Sequence, residues 1–247
     1  MNFIPQTLFK TNGNIIDADV SSEMTVALQK GKGEKIVTVN DEDVFTVSVH
    51  AYMIRILDEG LVIYDGKDLQ FFTLDGICMQ QVIVGGHVFV LFPMKDAVAC
   101  TYRDQGVYGD AIGKEKIVLV KKDGTITSQL SFANEHHLNF DIRFARVKPY
   151  ACMNIETNKI LHFNQHFQLL KAEICPFELG DFLAMSYQYP YFLFLEEERW
   201  ICLHENGTYQ ENKRSFSVNV RSHYHRGPFV FLEILEQEVI GYSFIEK

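Results

Sequence analysis

Two apolar runs joined by Asp-Gly, as in QFFTLDGICMQQVIV from Gln70 to Val84, recur along this chain, and the recurrence limits the fold more than any other feature. KIVLVKKDGTITSQLSF (Lys116 to Phe132) and RWICLHENGTYQENKRSF (Arg199 to Phe216) repeat the order of apolar strand, charged pair, Asp-Gly or Asn-Gly, and second strand. These dipeptides mark hairpins because Asn, Asp and Gly accept the positive φ of a tight turn. KILHFNQHFQLLKAEI (Lys159 to Ile174) fills the gap between them, with Asn164-Gln165 at its turn. From Gly76 to Gly124, Asn164 and Gly207 the interval is about 40 to 48 residues, near the period of four-stranded repeat units.

A second marker keeps the same interval. Pro93, Pro149, Pro190 and Pro228 each follow one short apolar run and precede another, where a fixed φ suits a turn and the missing N–H does no harm. Two punctuation marks per repeat imply four strands per repeat. Three units are clear on this frame: Val88 to Phe132, Phe140 to Ile174, and Phe182 to Ser217. An earlier unit, Tyr52 to Ile83, carries Gly60 in place of the proline, and NIIDADV, MTVALQ, KIVTVN and VFTVSV make a degenerate first unit. After Phe216 only NVRSHYH, FVFLEIL and VIGYSFI remain, one strand short, while TLFKT near the N-terminus is unused.

The pattern resembles a β-propeller over essentially the whole chain, similar in period to WD40 and kelch proteins. Gly85-Gly86-His87 is the one echo of the WD40 Gly-His, and there is no Trp-Asp dipeptide. The resemblance implies a closed all-β ring with binding carried on its loops. Residues 1–247 are expected to form one propeller domain of six four-stranded antiparallel blades, closed by the N-terminal strand in the last blade; five blades with a separate N-terminal hairpin is the alternative.

Composition agrees with a closed core: 47% of residues are hydrophobic and 13% aromatic, including 20 Phe and 11 Tyr, which favours pleated, half-buried surfaces. A net charge of −9 opposes a counterion-displacing grip on nucleic acid or anionic lipid and suits a cationic protein partner. No apolar stretch approaches the roughly 18 residues of a membrane span, and the N-terminus has no secretory pattern, so a cytoplasmic, monomeric protein is expected. Cys78, Cys100, Cys152, Cys175 and Cys202 are widely spaced within apolar runs without a CxxC, as expected of buried, reduced thiols. No segment of eleven or more residues has helical apolar spacing.

No catalytic residue, metal or cofactor is expected. Gly31 to Lys35 (GKGEK) lacks the spacing of a phosphate-binding loop. His223 and His225 share one face of a strand but lack a local third ligand, and Asp17 with Asp19 lacks the rest of a calcium loop. The distribution of loops is more informative. Turns joining first to second and third to fourth strands collect aromatic and basic residues, among them Tyr187, Tyr189, Tyr224, Arg226, Lys95, Lys121 and Lys122. The remaining connections collect Glu135, Glu196, Glu197 and Glu198, together with the long insertion from Arg103 to Glu115 that carries Tyr108 and Asp110, while adjacent His136 and His137 point to opposite faces if extended and suit a loop contact better than chelation. Arg103, Tyr108, Asp110, Glu135, His136, Tyr189, Glu196, Glu197, Glu198, Tyr224 and Arg226 are therefore the candidate binding residues. The leading expectation is a non-catalytic intracellular protein-binding propeller, an inhibitor or antitoxin-like binder acting through an acidic face. The alternative is a hydrolase or lyase with its site in the central channel.

Overall fold

A computed structural model describes residues 1–109, 112–139, 142–147, 149–180 and 182–246. The chain opens with β1 (Asn2–Lys10), and four strands then form the first blade: β2 (Ile15–Val20), β3 (Thr25–Lys30), β4 (Lys35–Val39) and β5 (Glu42–Val47). The second blade holds β6 (Met53–Leu57), β7 (Gly60–Tyr64), β8 (Asp68–Phe72) and β9 (Cys78–Ile83). The third holds β10 (Val88–Pro93) and β11 (Ala97–Tyr102), an insertion with helix α1 (Asp104–Gly109) and a 3-10 turn at Gly113–Glu115, then β12 (Ile117–Lys121) and β13 (Ile126–Ser128). Helix α2 (Leu130–Glu135) leads to the fourth blade, β14 (Arg143–Ala145), β15 (Tyr150–Asn154), β16 (Lys159–Phe163) and β17 (Leu169–Ile174). The fifth is β18 (Phe182–Gln188), β19 (Tyr191–Glu196), β20 (Arg199–His204) and β21 (Tyr209–Lys213). Finally β22 (Val220–Ser222), β23 (Phe229–Ile234) and β24 (Glu238–Ile245) pair in the order β1-β24-β23-β22.

The protein is thus an all-β six-blade propeller of four-stranded antiparallel blades, and β1 completes the last blade beside β24. The expectation of six blades and of N-terminal closure holds. The described residues of the long insertion form helical turns where a loop was expected: a Cβ on Gly113 would lie 2.2 Å from the Gly106 carbonyl oxygen, so backbone packs directly on backbone there. Both helices are six residues long, too short to show helical periodicity.

Contacts divide the chain into two compact units. The first comprises Met1–Leu8, Arg143–Leu235 and Val239–Lys247; the second comprises Phe9–Ile142 and Glu236–Glu238. In the second unit, Val62, Tyr64, Leu91, Cys100 and Val118 anchor one apolar core and Leu28, Val37, Ile54 and Leu61 another. In the first, Phe3 lies edge-on to Trp200, Phe216 and Phe231, at centroid distances of 4.8, 5.8 and 5.7 Å. A further core gathers Met153, Phe177, Phe192 and Phe194. Second strands are covered on both faces, so β7, β15 and β19 are buried along their whole length and read as continuous apolar runs. Gly60 begins β7 with φ +139°, and a Cβ there would meet the Phe72 carbonyl oxygen at 2.2 Å.

First strands are joined by side chains as well as packing. In the second unit Asp17 Oδ2 accepts the Ile54 amide at 2.9 Å and the Arg55 guanidinium, Asp19 Oδ2 accepts the Ile56 amide at 2.9 Å, and Arg55 Nε donates to Leu91 O at 3.2 Å. In the first unit the Met185 amide donates to Ser222 Oγ at 3.1 Å and Arg143 Nη2 donates to Phe182 O at 3.1 Å. Inner strands of different blades share no ladder, so these bonds satisfy backbone groups that would otherwise be buried alone.

Candidate acidic cleft

The site begins with the LEEER stretch. Apolar β19 ends at Glu196, Glu197 and Glu198 form the turn, and Arg199 starts β20. Because β19 is buried throughout, Glu196 is carried inside with it and is only 6% exposed, while Glu197 and Glu198 face solvent. A carboxylate drawn inward must be paired. Glu196 Oε1 accepts the Gly180 amide at 2.7 Å and Arg199 Nη2 at 3.1 Å, and Oε2 accepts Arg199 Nε. Arg199 also donates from Nη1 to Glu211 Oε2 at 3.0 Å and from Nη2 to the Glu178 carbonyl at 2.9 Å. The carboxylates, Glu196 foremost, hold the guanidinium pKa above its ordinary value.

These groups frame a cleft of about 590 Å³ lined by Gly180, Glu196, Glu197, Glu198, Arg199, Glu211, Asn212 and Lys213. Arg199 is matched by Glu196 and Glu211, and among the described residues neither the Glu197 nor the Glu198 carboxylate joins an ion pair. The cleft can therefore offer two exposed carboxylates on a rigid base to a cation. The backbone is tied as well: the Phe216 and Arg214 amides donate to the Glu197 and Glu198 carbonyls, each at 3.1 Å.

Only part of the expected site assembles here. Glu196 was expected as an exposed docking carboxylate; it is instead the buried anchor of the cleft. Tyr224 was expected at an exposed turn and is 3% exposed, its carbonyl accepting Arg146 Nη1 at 3.2 Å. Tyr189 and Arg226 are exposed on turns of the other class. In the second unit, exposed Tyr108 lies on α1, and Arg103, whose carbonyl accepts the Gly106 and Val107 amides, sets its guanidinium 5.5 Å above the Phe89 ring. Exposed Glu135 ends α2 and His136 packs on Phe132 at 4.7 Å. Asp110 lies outside the described residues.

The basic character expected of the opposite turns is neutralised where Lys95, Lys121 and Lys122 occur, since they line a 350 Å³ cleft with Asp58, Glu59, Asp96 and Asp123. His223 Nδ1 sits 2.9 Å from the Phe229 carbonyl oxygen, and among the described residues no three His, Cys, Asp or Glu side chains are grouped to hold a metal ion. Cys78 was expected to be buried and is exposed, because it lies on the outer strand of its blade; the other four cysteines are buried. No described helix is long and apolar enough to cross a membrane.

Arg199, Glu211 and Lys213 were not singled out from the sequence. The β20–β21 register pairs Arg199 with Lys213 and Ile201 with Glu211, so Arg199 and Glu211 are diagonal neighbours. That relation is invisible without the register.

No family model and no curated protein matches this chain. Among solved structures it is similar to virginiamycin B lyase from Staphylococcus aureus, at 12% identity and TM-score 0.57 over 99% of this chain and 100% of that one. A catalytically inactive form of that lyase with quinupristin gives TM-score 0.60 at 10% identity, again over 99% and 100%. The Pan2 WD40 domain of Neurospora crassa gives 0.54 at 10% identity over 85% of this chain and 69% of that one. At such identities the likeness establishes the propeller fold alone.

Proposed function

We propose that this chain is a non-catalytic binding protein that holds a basic segment of a protein partner at the Glu197–Glu198 rim of the acidic cleft. The observation that carries the reading is the division of labour among three consecutive glutamates. Glu196 is spent on Arg199 and Gly180, while Glu197 and Glu198 stand exposed on the base it fixes. Carboxylates pre-positioned in this way contribute on-rate and selectivity for a cation. A propeller that masks a cationic active site, as an inhibitor or antitoxin does, would use such a cleft. Five free cysteines are in keeping with a cytoplasmic setting. The rival reading, a lyase, draws on neighbours that match this chain in fold only.

The test is fluorescence anisotropy of a labelled oligo-arginine peptide. Wild-type protein is expected to bind it, and Glu197→Gln with Glu198→Gln to weaken binding about tenfold at low ionic strength, with the loss shrinking as salt screens exposed charge. Glu23→Gln, an exposed carboxylate on the β2–β3 turn of the other unit, is the control. Equal loss in the control, or no binding by the wild type at millimolar protein, would overturn the reading.

A further inference from the structure

The outer strands of the blades differ in how regular an edge they leave. An outermost strand presents unpaired N–H and C=O groups, and proteins blunt such edges by bulges, shortness, proline or charge. β5, β9 and β17 each carry a register shift against the strand inside them. β13 is three residues long, and β1 contains Pro5. β21 pairs with β20 over five successive positions without a shift, and among the described residues no strand lies beyond it in the order β18-β19-β20-β21. Of these devices it has only charge, in Glu211 and Lys213.

The direction of its backbone groups follows from both of its ends. The His204 amide donates to the Thr208 carbonyl at 2.8 Å, and the Arg214 and Phe216 amides donate to the Glu198 and Glu197 carbonyls, each at 3.1 Å. Even-numbered residues therefore bond inward. Because bonding direction alternates along an antiparallel strand, Tyr209, Glu211 and Lys213 turn their N–H and C=O groups to the open edge. The same edge forms a wall of the acidic cleft, whose lining includes Glu211, Asn212 and Lys213. In that lining Glu196, Glu197, Glu198 and Glu211 outnumber Arg199 and Lys213.

We infer, as an extension that rests on the proposed acidic-cleft function, that the basic segment binds as an extended strand added to the β21 edge, giving the fifth blade a fifth strand. Main-chain bonds to Glu211 and Lys213 supply affinity, and the carboxylates beside the edge supply sequence preference. Opposite charges facing each other on adjacent strands stabilise the pair and like charges oppose it, so a basic side chain is selected opposite Glu211. The Arg214 and Phe216 amides hold the 197–198 turn against the continuation of β21. A segment on the far side of that continuation lies two strand spacings from the turn, about 9.5 Å, within reach of Arg and Glu side chains extended toward each other. Charge also selects a basic partner over a second copy of this chain, since two copies of net charge −9 repel.

Fluorescence anisotropy of labelled hexa-arginine, and of the same peptide N-methylated at every backbone amide, separates strand addition from attraction by charge alone. The methylated peptide keeps its charge but donates no main-chain bond, and it is expected to bind about tenfold more weakly. Proline lacks an N–H and is tolerated at a strand edge where that group faces solvent, so Lys213→Pro is expected to keep the circular dichroism spectrum and weaken hexa-arginine about tenfold. Lys213→Ala, which removes the same charge and retains the amide, is expected to bind at least as tightly as wild type. Strand addition is overturned, with the cleft reading intact, if Glu197→Gln with Glu198→Gln weakens hexa-arginine but the methylated peptide binds wild type equally well or Lys213→Pro matches Lys213→Ala. Hexa-arginine that fails to bind wild type at millimolar protein overturns both.

Discussion

Arg199 Nη2 donates to Glu196 Oε1 at 3.1 Å while Nε reaches Oε2, so one buried carboxylate grips the guanidinium along its whole edge. The pair is structural, and it leaves the next two glutamates free to act outward. Arg199→Ala is expected to destabilise the protein by about 3 kcal/mol, because it strands Glu196 in a site it cannot leave. Glu197→Gln with Glu198→Gln should change stability by less than about 0.5 kcal/mol. Urea unfolding of the two variants separates the base of the cleft from its rim.

The carboxylates of β2 act on a neighbouring blade. Asp19 is fully buried and its Oδ2 accepts the Ile56 amide at 2.9 Å. Asp19→Ala should cost about 2 to 3 kcal/mol, since it removes a charge-assisted bond and leaves the amide buried without it. Amide hydrogen exchange at Ile56 should accelerate relative to the β7 amides.

Native thiol labelling should modify one cysteine quickly. Cys78 is exposed, whereas burial pushes Cys175 and Cys202 up to about 12 and raises Cys100 and Cys152 as well. At pH 8 those four carry almost no thiolate, and they should react only after denaturation. Rapid native labelling of any of them, read by peptide mass, would contradict this assignment.

Removing residues 1–11 should expose the β24 edge and take Phe3 from its aromatic cluster. Loss of the Phe3 ring alone is worth about 3 to 5 kcal/mol, so both the truncation and Phe3→Ala should lower the melting temperature, and the truncation should also aggregate.

His162 provides a pH signature. Burial lowers its pKa below 6.5, partly opposed by Glu173, whose Oε1 lies 2.8 Å from Nε2; Lys171 adds to the lowering and Glu205 opposes it. The folded state therefore resists a proton that the unfolded chain accepts. The stability it contributes is complete above pH 6.5 and is lost as pH falls through the depressed folded value. His162→Gln should flatten the stability profile just below pH 6.5, as measured by denaturant titration at successive pH values.

The architecture was legible because it rests on local signals. Asp-Gly at Asp75-Gly76 and Asp123-Gly124, and Asn206-Gly207, supply the positive φ of their hairpins, with glycine φ values of +88°, +85° and +87°. The unused TLFKT run foretold the β1–β24 pairing, because a ring of four-stranded blades cannot leave a three-stranded remainder. The candidate site was legible only as an acidic turn. Sequence placed Glu196, Glu197 and Glu198 together, but it could not say that one of them turns inward.

By itself, then, the sequence determined the period, the number of blades and the strand that closes the last one, since turn chemistry and apolar patterning act over a few residues. Burial and charge pairing were decided by tertiary structure. Cys78 and Cys100 sit in similar apolar runs, yet Cys78 falls on an outer strand and faces water while Cys100 falls on a second strand and is fully enclosed. Glu211 meets Arg199 through the β20–β21 register, twelve residues away along the chain. Which of three adjacent carboxylates is spent internally and which face outward depends on the neighbours that the fold brings to each, and those neighbours come from distant parts of the sequence.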